Sequence, residues 1–273
     1  MTVLRFAAVA VLFTVIPAAA QDLPEYTCWK ATGPIVVDGA ASEDSWLLAA
    51  PMSLWDVRYI ESPRPHSRPT EARMLWDADN LYVYFRCTDP DVWSVLTERD
   101  ANLWEDEVVE IFFDPVGEQL NYAEYEVNPL NTVLDLLVTR VPSRQSFFEW
   151  SPPVSTAIQV GGTLNDHTDT DEYWSMEMAL PWQSLVTDMT GLVGERGLPP
   201  RDGDIWHFNF YRYERLRNAS GRETTIEYSA WSPTGEINFH RPDRFGVVQF
   251  RQTSTAVGAR SWGQVKEEGR RAE

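Results

Sequence analysis

The stretch "NYAEYEVNPLNTVLDLL" (residues 121–137) decides the fold class, because its first half alternates between polar and apolar residues. In an extended chain, successive side chains point to opposite faces. One face of this predicted strand would carry Tyr122, Glu124, Glu126 and Asn128. The other face would be apolar and suited to a core: Ala123, Tyr125 and Val127. The polar face is a solvated surface, an acid/base pair, or a surface that binds a hydroxyl-rich ligand.

Similar β signals dominate the rest of the chain. Runs rich in β-branched and aromatic residues, separated by Gly, Pro, Asn or Asp, predict strands at 33–39, 53–59, 71–77, 81–89, 108–115, 122–128, 132–139, 155–162, 172–180, 204–214 and 245–250. Residues 77–80, "DADN", predict a hairpin turn. Helix is predicted only at 42–49, capped by Ser42, and at 181–185. This pattern predicts an all-β protein, an antiparallel β-sandwich of the jelly-roll kind with one or two short helices.

Two other predicted strands also have a mixed polar face. Residues 108–115 place Glu110 on the same face as Val108, Phe112 and Asp114. Residues 204–214 place four residues on one face: His207, Asn209, Tyr211 and Tyr213. A carboxylate such as Glu110 is costly to bury without a partner. We therefore expect either a cation such as Arg212 or a wet cavity beside it.

The chain ends differ in composition from the rest. Arg5, an apolar run over 6–16 and small residues up to Ala20 are typical of a secretory signal peptide over 1–20, cut after Ala20. Residues 21–250 are predicted to form one domain, and 251–273 to be a disordered tail. We expect a secreted or periplasmic protein without a membrane span.

Charge and cysteine content narrow the choice of partners. The formal net charge is −18, and no basic stripe is visible, which argues against nucleic acid and anionic lipid surfaces as partners. Cys28 and Cys87 could form one disulfide in an oxidising compartment or remain as two thiols.

Several aromatic residues occur beside turns or acids rather than within apolar runs. Trp104 lies in "NLWEDE" and Phe239 in "INFHRP". Sugar-binding surfaces combine flat rings, which stack on pyranose faces, with charged groups that hydrogen-bond hydroxyls. Either aromatic could instead cap the edge of the core.

An ordered set of motifs resembles the family 9 carbohydrate-binding modules and their family 9-like relatives. The set runs from "VVDGAASEDSW" (36–46) and "EARMLWDADNLYVYFRCTDPDV" (71–92) through "NLWEDEVVEIFFDP" (102–115) to "WSPTGEINFHRPDRFGVVQF" (231–250). The resemblance covers nearly all of residues 33–250 and implies an antiparallel, DOMON-like β-sandwich that binds carbohydrate without catalysis.

The resemblance also implies site residues. Trp104 and Phe239 would stack on a terminal sugar, and Glu110 would hydrogen-bond its hydroxyls. Asn128 and Arg212 complete the expected set. The chain departs from the family pattern at Glu126, where those modules carry a basic residue. Either Arg212 or Arg244 substitutes for that cation, or the ligand differs, or binding is lost.

Other functions remain open at this stage. Glu124 and Glu126 are separated by about 6.6–6.8 Å along a strand, which is compatible with a glycoside hydrolase pair, although neighbours on one strand point the same way. A DOMON-type haem or electron-transfer module would use residues among Met176, Met178, His207 and His240. A structural sandwich with a protein partner is the fourth alternative.

An acidic segment, "NDHTDTDE" (165–172), contains Asp166, Asp169 and Asp171. Oxygen ligands at this density suit a structural Ca²⁺, and family 9 modules carry structural calcium. The spacing does not match an EF-hand loop, so a solvated acidic turn is the alternative.

Overall fold

The computed structural model describes residues 23–140, 144–186 and 192–252, which are almost entirely strands and loops. In chain order the strands are β1 (Glu25–Lys30), β2 (Met52–Ser53), β3 (Trp55–Asp56), β4 (Thr70–Trp76), β5 (Asn80–Thr88), β6 (Val108–Asp114), β7 (Asn121–Val127), β8 (Val133–Thr139), β9 (Gln145–Phe147), β10 (Ser155–Gly161), β11 (Tyr173–Pro181), β12 (Ile205–Arg217), β13 (Glu223–Ala230) and β14 (Gly246–Arg251). Four 3₁₀ helices cover Asp44–Leu48, Leu103–Glu105, Trp182–Leu185 and Pro242–Arg244.

The strands form one continuous curled sheet with two halves. The hydrogen-bonded order is β10-β11-β5-β4-β1-β14-β12-β6-β7-β8-β9, and β13 pairs with β12 and β3. All neighbours are antiparallel except β1, which pairs in parallel with both β4 and β14 and so joins the halves. The halves share one core: the rings of Phe85 on β5 and Phe210 on β12, for example, lie 5.8 Å apart. The predicted all-β sandwich is confirmed, with the parallel pairs of β1 as a departure from a purely antiparallel sheet.

The second half of the sheet has apolar side chains on both faces. Its inner face joins the main core through residues such as Tyr125 on β7 and Phe208 on β12. Its outer face forms a second cluster that includes Phe112, Tyr122 and Tyr211. The alternation predicted for β6, β7 and β12 is therefore confirmed. Because the outer face is partly apolar and partly carboxylic, it needs a cover, and the segment that leads into β14 supplies one through Phe239 and Phe245.

Most predicted strands are present within a residue or two of their expected bounds. The run 53–59 contains only β3 and the end of β2, and β1, β9 and β13 were not predicted. The strand predicted at 33–39 is absent, so that prediction was wrong. The backbone N–H groups of Asp38 and Gly39 donate to the Glu177 carboxylate there (3.0 Å each), so a side chain replaces a strand ladder. The short helices near 44–48 and 182–185 are confirmed, although Ser42 makes no cap.

Of the two alternatives left open for Cys28 and Cys87, the structure has two thiols and no disulfide. Cys28 and Cys87 are both free and buried. Cys28 lies on β1 and Cys87 on β5, with β4 between the two strands. Strands two places apart are separated by roughly 9–10 Å, beyond the reach of a disulfide. Burial raises the pKa of both thiols, that of Cys87 to about 12.

The chain ends fall mostly outside the described residues. The signal peptide predicted at 1–20 lies wholly outside them, and the tail predicted from 251 does so from 253 onward, since Arg251 ends β14. Within the described ranges, no helix has the length and apolarity needed to cross a membrane.

Candidate functional site

A pocket of about 340 Å³ opens on the outer face of β6, β7 and β12. Its floor is the sheet, and its walls come from the 3₁₀ turn at Leu103–Glu105, from β9 and its flanking residues, and from residues 237–240. Its lining residues are Trp104, Glu110, Phe112, Glu124, Glu126, Leu136, Arg144, Ser146, Phe148, Tyr213, Ile237, Asn238, Phe239 and His240. Three of the five predicted binding residues, Trp104, Glu110 and Phe239, line this one pocket.

Three glutamates form the acidic part of the pocket. Glu110 on β6 lies directly opposite Glu126 on β7, and Glu124 lies two residues earlier on the same face of β7. Their exposed fractions are 2%, 4% and 1% for Glu110, Glu124 and Glu126. Directly opposed strand residues have Cβ atoms about 5 Å apart, so these carboxyl groups act on one another electrostatically.

Burial changes the protonation of this trio. It raises the pKa of Glu110 and of Glu126 well above the ordinary value, and the neighbouring glutamates add to both shifts. The pKa of Glu124 rises to about 7, also because of burial; its hydrogen bond with Glu126 and the charge of Arg144 oppose that rise. Burial and mutual proximity therefore favour the protonated form of each group more than in an ordinary carboxyl group.

Trp104 forms one aromatic wall of the pocket and is half-buried. The 3₁₀ turn that carries it is fixed to β12, because Arg215 donates to the backbone oxygens of Trp104 (2.7 Å) and Asp106 (3.0 Å). The indole is thus presented on a rigid support, as a stacking platform requires.

Phe239 forms part of the opposite wall, but most of its surface is covered. It is 5% exposed and stacks on Tyr211, with ring centroids 4.2 Å apart and a 6° angle between the ring planes. The Tyr211 hydroxyl also donates to the Phe239 backbone oxygen at 2.9 Å. Two further rings line the pocket and extend the aromatic surface: Tyr213, which is half-buried, and Phe148, which is exposed.

The positive charge in the pocket comes from a residue that the sequence did not single out. Arg144 lines the pocket, whereas neither Arg212 nor Arg244 does. His240 is the other basic residue on the wall, and burial lowers its pKa to about 4, with Arg144 and Arg140 adding to the effect. His240 is therefore neutral at neutral pH, and its Nδ1 lies 2.9 Å from the Tyr122 hydroxyl. Arg144 lies between the predicted strands 132–139 and 155–162, so no alternation of polar and apolar residues indicated it.

Asn128 lies outside the pocket, contrary to the prediction. Its side chain organises the turn between β7 and β8: Oδ1 accepts from the N–H groups of Leu130 (3.1 Å) and Thr132 (2.8 Å). Nδ2 donates to the Leu96 carbonyl (2.8 Å) and to Asp106 (3.1 Å). All its hydrogen-bonding capacity is used internally, as is common for Asn in tight turns.

Arg212 is also absent from the pocket, because it lies on the opposite face of β12. It is fully buried and donates to Asp89 (3.1 Å), to Glu214 and to the Thr88 carbonyl (3.0 Å). Alternation along β12 places Tyr213 in the pocket and Arg212 behind it. Tyr213, not Arg212, is thus the residue that β12 contributes to this pocket.

Among the described residues, the acids of segment 165–172 are not among those whose oxygens lie within 4.8 Å of one another. Asp171 is buried and accepts from the N–H groups of Val92 (2.7 Å) and Thr163 (2.6 Å). Asp166 caps a turn through Thr168, and Asp169 is exposed. These bonds fix a loop, as the alternative of an acidic turn required.

A different group of acids is close enough to hold a cation. Among the described residues, one set of three meets that requirement: Asp89, Glu107 and Glu214, with oxygens within 4.8 Å of one another. Both oxygens of Glu107 lack a hydrogen-bond partner although the residue is fully buried. Three carboxylates beside the single charge of Arg212 leave a deficit of two positive charges. A divalent cation or shared protons would supply it, and an all-oxygen donor set fits calcium.

Three of the four residues considered for a haem site lie apart in the structure. Met176 and Met178 are packed in the main core, whereas His240 lies on the outer face in the pocket. Glu124 and Glu126, the pair considered for glycoside hydrolysis, lie on the same face of one strand and point into the same pocket. Hydrolysis requires carboxyl groups on opposite sides of the scissile bond.

A second, more open pocket of about 580 Å³ lies near the start of β1. Its walls include Trp55, Ile60, Trp231 and Arg244. It resembles the first pocket in having tryptophan on its walls, but it lacks a group of buried carboxyls.

The fold and the pocket thus define a β-sandwich with an aromatic and carboxylic pocket on the outer face of one half. The sequence model of the carbohydrate family 9 binding domain-like family matches residues 37–253. The chain therefore belongs to that family.

Two curated relatives are much longer enzymes. Endo-1,4-beta-xylanase A from Thermotoga neapolitana is 38% identical over 188 residues, and its namesake from Thermotoga maritima is 23% identical over 188 residues. In both cases the match covers 66% of this chain but only 14% of the relative. The chain thus spans about one seventh of these enzymes.

Solved structures share the fold. A Bacteroides uniformis protein proposed to bind carbohydrate superposes with a TM-score of 0.62 at 19% identity, covering 84% of this chain and 100% of that one. A family 9 carbohydrate-binding module from Caldicellulosiruptor kristjanssonii in complex with cellotriose gives a TM-score of 0.54 at 16% identity, covering 87% and 98%. The same module in complex with glucose gives 0.52 at 17%, covering 84% and 97%.

Proposed function

We propose that this protein binds a saccharide in the pocket between Trp104 and Phe239 and does not itself cleave it. The observation that carries the proposal is that Trp104 and Glu110, which are near each other in sequence, line one pocket of sugar-unit size together with the distant Phe239. Family membership and the sugars bound by structural neighbours support it.

In this proposal the residues divide the work by chemistry. The half-buried indole of Trp104 stacks on the C–H face of a pyranose ring. Glu110 and Glu126 accept hydrogen bonds from hydroxyl groups. Arg144 supplies the positively charged donor that a basic residue at the position of Glu126 would otherwise supply. Phe239 contributes an edge rather than a free face, because Tyr211 already covers one side of its ring.

Replacing Trp104 by alanine is expected to weaken saccharide binding by at least about tenfold, since a buried aromatic anchor contributes a large share of binding energy. The melting temperature should change little, because the indole lies at the edge of the second cluster. Affinity electrophoresis in gels containing soluble β-glucans or xylans measures the first effect, and thermal unfolding the second.

Trp29→Ala is the matched control, because Trp29 is also half-buried but packs on the cluster around Trp46 in the other half of the sheet. Its retention in the gel should equal that of the unmodified protein. Equal retention of the Trp104 variant would reject the stacking role. Release of reducing ends from the same polysaccharides would reject the non-catalytic assignment.

We further propose that Asp89, Glu107 and Glu214 hold a structural calcium ion. Calcium would neutralise buried charge and join β5, the start of β6 and β12. Treatment with a chelator should lower the melting temperature, and Ca²⁺ should restore it more effectively than Mg²⁺, because Mg²⁺ dehydrates reluctantly. In Glu107→Gln the response to Ca²⁺ should disappear. A melting temperature that is independent of chelator and Ca²⁺ would indicate that shared protons supply the missing charge.

A further inference from the structure

The acidity of the pocket is excessive for a site that recognises only neutral hydroxyl groups. Glu110, Glu124 and Glu126 are each at least 96% buried, and they face a single lining cation, Arg144. A neutral sugar can donate hydrogen bonds to carboxylates, but it brings no charge to offset the repulsion among three of them.

Two acceptor atoms in this group are unused. Oε2 of Glu124 and Oε2 of Glu126 are buried and have no hydrogen-bond partner. Nδ1 of His240 lies 3.9 Å from Glu124 Oε2, and this distance is too long for a hydrogen bond. That nitrogen is instead directed at the Tyr122 hydroxyl. Buried acceptors without partners are costly, so this arrangement is suited to a donor brought by a ligand.

The walls beside these acceptors are aromatic. Trp104, Tyr213 and Phe239 line the same pocket. The face of an aromatic ring attracts a cation through its quadrupole, and the attraction is larger where water is excluded. A protonated amine offers three N–H donors and one positive charge in a compact group.

A bare metal ion fits these glutamates less well. Among the described residues, the set whose carboxylate oxygens lie within 4.8 Å of one another is Asp89, Glu107 and Glu214, on the other side of the sheet, and not the three pocket glutamates. The pocket glutamates are more widely spaced than Asp89, Glu107 and Glu214 and have aromatic walls beside them. Such a site suits an organic cation that is attached to a ring.

We propose that the pocket selects a saccharide unit that carries a protonated primary amine, with the amine held by Glu124 and Glu126 and the sugar ring stacked on Trp104. This inference rests on the proposed function and specifies its ligand class. It also accounts for Glu126 at a position where a basic residue would repel an amine.

Three β-1,4-linked trisaccharides test the proposal, since they differ only at C2 of each unit: cellotriose (hydroxyl), the glucosamine trimer (free amine) and its N-acetylated form. Titration calorimetry at about pH 5.5, well below the ordinary pKa of an α-amino group at roughly 7.7–8.0, should give at least about tenfold tighter binding for the free amine than for the other two. Glu126→Gln should reduce that ratio towards one.

The net charge of −18 could attract any cation, so a charge-matched control is needed. Glu118→Gln removes one negative charge at an exposed residue outside the pocket and should leave the ratio unchanged. Trp104→Ala keeps the net charge and should weaken binding of the amine trimer.

The outcomes separate this inference from the proposed function. If cellotriose binds as tightly as the amine trimer and binding depends on Trp104, the saccharide site stands and the amine preference is overturned. If the amine trimer binds equally to the protein and to its Trp104→Ala and Glu126→Gln variants, the attraction is non-specific and the inference fails. If none of the three binds, the inference fails with the proposed ligand class.

Discussion

Replacing Arg212 by methionine is expected to lower the free energy of unfolding by about 3–5 kcal/mol, the usual cost of leaving buried charges without their partner. Arg212 is fully buried among Asp89, Glu107 and Glu214. Its Nη1 also donates to the Thr70 hydroxyl at 3.0 Å. Methionine has similar length but no donor, so three carboxyl groups would lose their cation. Chemical denaturation measures the loss.

Arg217→Met is the matched control on the same strand. Arg217 pairs with Asp91 at 2.7 Å, but both side chains are partly exposed, and such pairs contribute about 0–1 kcal/mol. Arg212→Lys, which keeps the charge and loses the planar fork, should fall between the two methionine variants. A loss for Arg212→Met no larger than that for Arg217→Met would contradict the account of Arg212 as a structural cation.

The stability of the ligand-free protein should fall as the pH rises from about 5 to 8. The folded-state pKa of Glu124 is about 7, and those of Glu110 and Glu126 are also raised, mainly by burial. The folded protein therefore holds protons that the unfolded chain has released. Each such proton lowers the free energy of unfolding by about 1.4 kcal/mol per pH unit. Glu124 alone accounts for about 3 kcal/mol between its unfolded pKa and its folded pKa.

His240 acts in the opposite direction below about pH 6.5, because its pKa is lowered from 6.5 to about 4, so the fall in stability should be steepest above that pH. The titratable or charged groups that act on the pocket are Glu110, Glu126, Arg144, Arg140, His240, Tyr122, Tyr211 and Tyr213. Denaturation in excess Ca²⁺ across this pH range gives the slope. Glu126→Gln should make the slope shallower, because it removes one buried acid and its repulsion. Glu118→Gln, which is exposed, should not. Stability that increases over this range would contradict the buried, protonated glutamates.

The sheet was largely predictable because its strands alternate strictly between core-facing and outward-facing residues. The β7 pattern from Tyr122 to Val127 placed every residue on the correct face. The strand predicted at 33–39 failed because a distant carboxylate, Glu177, satisfies its backbone, and no local pattern reveals such a bond. The weakly apolar strands β9 and β13 were missed for a related reason, since pairing rather than composition holds them in the sheet.

The site was predictable only in part. Trp104, Glu110 and Phe239 could be found because each stands out from its local pattern and matches a family motif. Arg144 could not be found, because it lies next to β9, a strand that the sequence did not predict. Arg212 was misplaced because a buried arginine and a ligand-facing arginine look alike in sequence, and only the strand phase separates them.

The most direct test is a crystal structure of the protein with a bound saccharide, the glucosamine trimer first. The account predicts one pyranose ring stacked on the Trp104 indole, with its polar groups within hydrogen-bonding distance of Glu124 or Glu126 and of Arg144. A saccharide bound instead in the pocket beside Trp55 and Trp231, with the Trp104 pocket holding only water, would contradict it.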